Sequence, residues 1–269
     1  MNALGVLGIA ISAPGLPNWD AARAIFRGAH PEPRPSEDAA PPSRMNSRDR
    51  RRASDTVRLA VEIGFDAAAS ARLAPGDLPA VFASSHGEGA ATHKLLAALT
   101  ETHPFVSPTL FHNSVHNTPA GYWSIAAGTR APTTSICAGR STFAVAFMKA
   151  ASIVTLDGLP ALLVAYDAPF PDPLSRICPF PGPLGVALVV GPAGHAHELW
   201  RVALSLEQAG RRACSRPKTE GLGQLFDANP VGQCLPLLEA LAAGADAPIV
   251  LDFGGNATLA IEVEAREPR

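Results

Sequence analysis

The sequence contains few cysteines, and their placement excludes a common kind of metal site. Only four of the 269 residues are cysteine, and no two of them stand at the C-x-x-C spacing of a zinc or redox motif. We therefore expect no metal centre. The four residues are predicted to be free thiols in a reducing cytoplasm: Cys137, Cys178, Cys214 and Cys234.

Charge of either sign and long hydrophobic runs are also scarce. Lys and Arg number 22, Asp and Glu number 24, and the formal net charge is −2. This balance gives no electrostatic reason to expect nucleic acid or an anionic membrane as a partner. No apolar run approaches the roughly 20 residues that span a bilayer, and the apolar start at residues 3–13 lacks the basic segment of a signal peptide.

Apolar residues, in contrast, make up 47% of the chain, which is enough for a large core in one domain spanning residues 1–269. Their spacing predicts strands and helices in alternation. Strands are predicted at 3–13, 78–83, 134–137, 159–169, 183–191, 199–207, 248–255 and 256–265, and helices at 19–26, 55–71, 91–102, within 111–128, from 140 to 154, and at 231–243. The predicted fold class is α/β, with helices on the faces of a buried mixed sheet.

Residues 28–53 differ in composition from the rest of the chain. They are rich in proline and charge and poor in apolar side chains, which predicts a mobile loop because little is buried to offset the entropy of ordering. The end of this loop holds the one basic cluster, which comprises Arg48, Arg50, Arg51 and Arg52. Such a run is usually a solvated face, and binding to a partner is the alternative.

The segment "TSICAGRSTFAVAFMKA", residues 134–150, reads as a strand, a tight turn and a helix. Ala138 and Gly139 supply the small residues of the turn. Many enzymes hold a nucleophile at such an elbow, because a helix N-terminus stabilises a developing anion. Here the residue at the tip is Arg140, which cannot be a nucleophile.

For two other groups of polar residues we favour a structural role over a role in catalysis or metal binding. His112 and His116 stand four residues apart, as two ligands on a helix could, but no third ligand is apparent and the stretch reads as a loop. Hydrogen-bonding loop histidines are therefore expected. The run 84–86, "SSH", places a nucleophile beside a base only in sequence, and adjacent side chains rarely face each other, so a role in a turn is expected.

Taken in order, these segments resemble the β-ketoacyl synthases, which are condensing enzymes of the thiolase fold. The likeness rests on "SSHGEG" (84–89), "NSVHNTPAGYWSIAAG" (113–128), the elbow, the buried strand after it, and "FGGNA" at Phe253–Ala257. It covers residues 3–191 and 247–263. The resemblance implies a thiolase-like layered αβα fold, truncated because complete enzymes of the family are longer, with a shortened C-terminal portion at 199–269.

Departures from the family pattern imply a loss of catalysis. The family's nucleophilic cysteine falls on Arg140, and Cys137 lies three residues earlier on the strand side of the turn. The family also carries two catalytic histidines in its C-terminal half, where this sequence has only His197 between Ala196 and Phe253. A guanidinium cannot be deprotonated or form a thioester. The resemblance is therefore to short chain-length-factor subunits of type II aryl polyene and polyketide systems, with no catalytic residue and no cofactor.

The resemblance also implies partners. An active β-ketoacyl synthase subunit would form a heterodimer with this chain, and an acyl carrier protein would bring the acyl chain on its phosphopantetheine. Arg50, Arg51 and Arg52 would help to dock that carrier. The residues expected at the dimer interface are Pro132, Thr133, Thr134, Ser135, Ile136, Cys137, Arg140 and Phe253.

The segment Asn113 to Ser124 would close the end of the partner's acyl tunnel. Its candidate residues are Asn113, His116, Asn117, Tyr122 and Trp123. For Trp123, packing in the chain's own core is an open alternative. Two other functions also stay open, namely an acyltransferase or thioesterase that uses Cys137 in a shifted register, and a non-catalytic homodimer that binds acyl groups.

Overall fold

The computed structural model describes residues 3–29, 44–208, 210, 212–244 and 247–265. Its strands are β1 (Leu4–Ser12), β2 (Ala80–Ala83), β3 (Thr133–Ile136), β4 (Ala161–Asp167), β5 (Leu184–Pro192), β6 (Trp200–Gln208), β7 (Ile249–Gly254) and β8 (Ala257–Ala265). Its α-helices are α1 (Trp19–Phe26), α2 (Ser47–Arg52), α3 (Asp55–Ala71), α4 (Gly89–Leu99), α5 (Pro108–Asn113), α6 (Thr118–Ala126), α7 (Thr142–Asp157), α8 (Gly223–Ala228) and α9 (Leu235–Ala243).

The strands form one mixed sheet in the order β3-β2-β4-β5-β1-β6-β8-β7. β3, β2 and β4 run parallel, and every other pair is antiparallel. Successive side chains of β4 enter two different cores: Leu162 and Val164 pack in the cluster around α3 and α6, and Leu163 packs in the cluster around α7 and α9. Because both faces are covered, β4 and β5 are apolar along nearly their whole length. The predicted layered αβα arrangement is confirmed.

The C-terminal strands join the rest of the sheet through a short contact. β6 pairs with β1 at only three positions, from Leu4↔Val202 to Val6↔Trp200. Helix α7 contacts β2, β4 and β5, and it contacts β7 as well. Apolar residues of the last strands, such as Leu204 and Leu259, belong to the same core cluster as α7. The C-terminal strands therefore complete the core around α7.

Several helix boundaries follow from local capping. The Ser54 hydroxyl accepts a hydrogen bond from the Val57 amide at 3.0 Å, and α3 begins at Asp55 as predicted. The prediction of a loop over 28–53 is wrong at its end, because Asn46 caps the short helix α2 through the amides of Arg48 and Asp49. The central part of that predicted loop, residues 30–43, lies outside the described residues.

Candidate functional site

The elbow has the predicted form. β3 ends at Ile136, a single 3-10 turn spans Gly139–Ser141, and α7 begins at Thr142. Gly139 has a φ of 55°, in the left-handed region that suits glycine. The Thr142 hydroxyl fixes the turn, since it donates to the Gly139 carbonyl at 2.7 Å and accepts from the Ala138 amide at 2.9 Å.

Arg140 is exposed at the tip of this elbow, and its charge is compensated by another helix. The Nη1 atom donates to the Asp227 carbonyl oxygen at 2.9 Å, and the guanidinium carbon lies 5.8 Å from the centre of the Phe226 ring. Asp227 is in the last turn of α8, where carbonyl groups carry partial negative charge. The guanidinium is thus stable next to the positive end of α7. It offers no nucleophile.

Cys137 is exposed beside the turn that follows β2. Its Sγ atom lies 3.5 Å from the Ser85 carbonyl oxygen, and the Ser85 hydroxyl in turn donates to the Gly139 carbonyl at 2.6 Å. Among the residues that the structure describes, no imidazole or carboxylate hydrogen-bonds to this thiol. A group that could act as a general base for Cys137 is therefore not in place.

Asp167, at the end of β4, organises the turn of residues 84–86. Its fully buried carboxylate accepts hydrogen bonds from the Ser84 hydroxyl at 2.6 Å and from the His86 amide at 3.0 Å. The His86 Nδ1 atom is 3.7 Å from the carboxylate, which is too long for a hydrogen bond. The predicted turn role of this segment is confirmed. The sequence gives little indication of Asp167, whose only signal is that of an acidic residue at the end of an apolar strand.

The two histidines considered as ligands do not form a metal site in the described part of the chain, where no group of three potential ligands occurs. The His116 Nε2 atom donates to the Ser84 carbonyl at 2.9 Å. His112 lies in α5 rather than in a loop, and its Nδ1 atom is 3.3 Å from the Asn113 side-chain oxygen. His197 follows β5, at the end of the main sheet opposite to the elbow.

Trp123 packs in the chain's own core, which is the alternative that the sequence left open. Its side chain is fully buried, with ring centroids 4.8 Å from Phe65 and 6.1 Å from Phe82. The contact is tight, because a Cβ atom on Gly64 would lie 3.0 Å from the indole ring. In this position the side chain is covered by the chain's own residues and presents no surface to a partner.

The other candidates in this segment differ in exposure. Tyr122 and Asn113 are buried, and burial raises the pKa of the Tyr122 hydroxyl. His116 is half-buried and Asn117 is exposed. Of the five candidate residues, Asn117 is therefore the one most accessible to a partner.

The expected interface strand lies at an open edge. Within the described residues, β3 pairs with β2 and no strand lies beyond it. Pro132 and Thr133 are exposed, whereas the next three residues are half-buried. An unpaired strand edge is a ready site for pairing with another chain.

Exposed apolar side chains are concentrated in the stretch of chain just before β3. The apolar patch, as we call this group, consists of Leu96, Leu99, Phe105, Phe111, Val115 and Ile125. Four of these residues lie on α4, α5 and α6, of which α4 contacts α5, and α6 contacts β3. So much exposed apolar surface in one segment is typical of a protein interface.

The basic cluster lies on α2, all of whose arginines are exposed. The helix is tied to neighbouring elements through its backbone, because the Arg52 carbonyl accepts from the Asn113 amide group at 2.7 Å and the Arg50 carbonyl accepts from Arg58 at 3.2 Å. The side chains of Arg50, Arg51 and Arg52 form no ion pair with the described residues. Their guanidinium groups are thus available to an acidic partner.

Glu88 is a buried acid that the sequence analysis did not single out. It precedes α4, is 2% exposed, and neither carboxylate oxygen has a hydrogen-bond partner among the described residues. Burial raises the pKa of Glu88 to about 7, although the neighbouring Ser54 hydroxyl opposes the shift. The Tyr166 hydroxyl is also buried without a partner, and burial together with the Glu88 charge raises its pKa.

The "FGGNA" segment forms the turn between β7 and β8 and reaches the elbow. Gly254 and Gly255 have φ values of 87° and 58°, which the turn requires. The Asp252 carboxylate accepts from the Ser141 hydroxyl at 3.0 Å and from the Gly254 amide at 3.1 Å. Phe253 is partly buried against the core. The C-terminal portion therefore packs directly on the site.

Cavities lie at the elbow and elsewhere. One of about 210 Å³ is lined by Arg140 together with Arg216, Gln233 and Asp252. A larger one of about 720 Å³ lies away from the elbow, between α1 and residues 218–222. None of the helices in the described part of the chain is long and apolar enough to cross a bilayer.

Comparisons with solved structures identify the fold. A chain of the ketosynthase (ApeO) in complex with its chain length factor (ApeC) from Xenorhabdus doucetiae is 20% identical, with a TM-score of 0.71 over 97% of this chain and 100% of that one. The ishigamide ketosynthase/chain length factor gives 15% identity and a TM-score of 0.72 over 98% and 99%. A β-ketoacyl synthase from Burkholderia phymatum STM815 gives 14% and 0.60 over 87% and 71%. The expected thiolase-like fold is confirmed.

Sequence comparison points to the same group of proteins. No curated protein matches the chain significantly. The sequence profile of the β-ketoacyl synthase N-terminal domain matches residues 25–234. Since this match covers well over half of the sequence, the chain belongs to the β-ketoacyl synthase family.

Proposed function

We propose that this chain is a non-catalytic subunit of the chain-length-factor type, which pairs with an active β-ketoacyl synthase and shapes the cavity for the growing acyl chain. The observation that carries the proposal is the full-length structural likeness to chains from complexes of a ketosynthase with its chain length factor. The system would be a type II polyketide or aryl polyene pathway, with the acyl chain carried on the phosphopantetheine of an acyl carrier protein.

The elbow supports a role without catalysis. Arg140 stands at the tip, held by the Asp227 carbonyl, and cannot attack a thioester. Cys137 is nearby, but its thiol faces the Ser85 carbonyl and has no base. A cysteine nucleophile needs a neighbouring base or another means of forming the thiolate. The condensing chemistry would therefore belong to the partner.

Two surface features support pairing with another subunit. The open edge of β3 presents unpaired backbone groups, and the apolar patch lies in the preceding elements. Obligate interfaces are apolar and bury on the order of 2,000 Å² or more. A partner that covers both features would supply such an interface, and the residues that line it would include Pro132 and Thr133.

The test is co-expression with a β-ketoacyl synthase encoded beside this gene. We expect the two chains to co-purify as a heterodimer that extends carrier-bound acyl chains, whereas this chain alone self-associates and has no activity. Light scattering and product analysis by mass spectrometry measure the two outcomes. A monodisperse chain that does not bind the ketosynthase would refute the proposal. If that chain is a dimer, the result would favour the acyl-binding homodimer.

The remaining alternative, an acyltransferase or thioesterase that uses Cys137, is tested by measuring the intact mass of the chain after incubation with an activated acyl thioester. We expect no acyl adduct on the isolated chain. A stable adduct that disappears in Cys137→Ala would assign an acyltransferase or thioesterase function to this thiol. Restoring the family residue with Arg140→Cys should not produce condensation, because the two catalytic histidines that the family carries in its C-terminal half are missing from this sequence.

A further inference from the structure

The cavity beside Arg140 is not used by the proposed function, and it has the properties of a binding site. Its volume is about 210 Å³, which is room for about seven water molecules at the liquid's ~30 Å³ each. It is bounded by Arg140 at the elbow, by Arg216 and Phe226, and by Asp252 from β7. Polar groups from three distant parts of the chain thus converge on one small space.

Two guanidinium groups lie against the same aromatic ring in its lining. The Arg140 and Arg216 guanidinium carbons are 5.8 Å and 4.8 Å from the centre of the Phe226 ring. Each arginine donates one hydrogen bond to Asp227, from Arg140 to its carbonyl oxygen and from Arg216 to its carboxylate at 2.7 Å. A guanidinium has five N–H donors, so both groups keep donors that can bind a ligand.

Gln233 gives an independent indication of a ligand. Its side chain is 4% exposed and lines the cavity, and no hydrogen-bond partner of its amide occurs among the described residues. Buried polar groups are almost always hydrogen-bonded, so an unpaired amide facing a cavity points to a missing partner. A ligand with oxygen acceptors would provide that partner.

The acidic groups at the cavity do not cancel its preference for a ligand with oxygen acceptors. The Asp252 carboxylate accepts from the Ser141 hydroxyl and the Gly254 amide, and the Asp227 carboxylate is paired with Arg216. Cys214, which also lines the cavity, stays a neutral thiol, since burial and the Asp252 charge raise its pKa. Arg140 forms no ion pair with any described residue, since its hydrogen bond to Asp227 goes to the carbonyl oxygen rather than to the carboxylate.

We propose that this cavity binds a small carboxylate, held by Arg140 and Arg216 and completed by the Gln233 amide. A planar carboxylate matches the fork of a guanidinium and accepts two parallel hydrogen bonds from it. The Phe226 ring would contact the apolar part of the ligand. All of the lining residues belong to this chain, so binding can be measured without a ketosynthase.

Calorimetric titration of the full chain with acetate, succinate and inorganic phosphate, at constant ionic strength, tests the site. We expect saturable binding of a carboxylate, weakened about tenfold or more in Arg140→Gln, since charge-assisted pairs are among the strongest hydrogen bonds. Gln233→Glu keeps the shape of the side chain but adds a negative charge, and it should abolish binding. The matched control is Arg130→Gln, which removes an exposed arginine elsewhere and should bind as the wild type does.

Each outcome decides the question. The absence of saturable binding, or binding that Arg140→Gln leaves unchanged, would overturn the site. Tighter binding of phosphate than of either carboxylate would overturn the assignment to carboxylates. Thermal melts verify folding, and if Gln233→Glu does not fold, Arg140→Gln still decides, because the Arg140 side chain is exposed and the variant should fold.

Discussion

The protonation state of Glu88 is coupled to the free energy of unfolding. Its pKa is about 7 in the folded protein against 4.5 for a glutamate side chain in water, so the folded state retains this proton to a higher pH than the unfolded state does. Stability from this group is therefore greatest below pH 4.5 and decreases as the pH rises from 4.5 to 7. The decrease is at most about 1.4 kcal/mol per pH unit in this window.

We expect Glu88→Gln to remove this part of the pH dependence. The variant should be more stable than the wild type at pH 8 and about equally stable near pH 5, where Glu88 is protonated and similar in shape to glutamine. Urea unfolding at several pH values measures the difference. The control is Glu101→Gln, which changes an exposed carboxyl. If the free energies of unfolding of Glu88→Gln and the wild type change with pH in parallel, burial does not raise the pKa of Glu88.

The residues at the elbow illustrate what a sequence can and cannot predict. Arg140 and Cys137 were identified because a strand, a turn and a helix are local patterns. Gln233 and Asp252 were not, because they reach the elbow only through the packing of the C-terminal portion. Arg140 and its partner Asp227, for example, are 87 positions apart. No spacing rule reports a contact of that kind.

The same distinction holds for the secondary-structure elements. Helix α3 was predicted to the residue because it combines the Ser54 cap with a long apolar face. Helices α2 and α8 have six residues each, which is too short for an apolar period to be visible. A place for β3 at the dimer interface was expected from the family resemblance, whereas its position at the sheet edge and its parallel pairing with β2 are visible only in the structure.

Trp123 lies on helix α6, and its burial predicts the effect of removing its side chain. We expect Trp123→Ala to destabilise the chain by about 3–5 kcal/mol, as large-to-small changes in a core do, without lengthening the products of the complex. Trp123→Phe should cost much less, because it keeps most of the ring volume and removes an indole N–H that has no partner. Thermal melts and product analysis provide the measurement. Longer products at unchanged stability would return Trp123 to the tunnel wall.

Helix α2 is the candidate docking site for the acyl carrier protein. If its exposed arginines attract an acidic carrier protein, Arg50, Arg51 and Arg52 changed together to Ala should slow turnover of the complex more at low salt than at high salt, where screening already weakens the wild type. The control is Arg130→Ala, an exposed arginine outside α2. An equal loss at both salt concentrations would indicate a structural effect on the backbone contact to Asn113 instead.

At the scale of the whole molecule, the apolar patch and the β3 edge make the fold incomplete as an isolated chain. We expect Ile125→Glu to weaken pairing with the ketosynthase, because it places a charge within the apolar patch that the partner is proposed to cover. Ile125 is 64% exposed, so the isolated chain should remain folded. Leu156→Glu is the control, since Leu156 is 81% exposed at the far end of α7. Equal pairing by both variants would place the interface elsewhere.

Gly121 offers a direct test of whether the segment Asn113 to Ser124 limits product length. It is exposed on α6, and a Cβ atom there would meet nothing within 4 Å, so Gly121→Leu creates no clash in the isolated chain and improves helix propensity. In the complex, a leucine that projects into a shared cavity would oppose the last round of elongation. Overpacking costs about 1–3 kcal/mol, which is roughly a tenfold change in the rate of that round.

We therefore expect Gly121→Leu to shorten the products while the heterodimer stays intact. Mass spectrometry of carrier-bound chains measures the length, and light scattering measures the pairing. Gly223→Leu is the matched control, because a Cβ atom at Gly223 is equally free of contacts but lies on α8, away from this segment. Loss of pairing would place Gly121 in the interface itself. Unchanged products from an intact heterodimer would mean that α6 does not bound the cavity, because a side chain of that volume could not enter an occupied tunnel without effect.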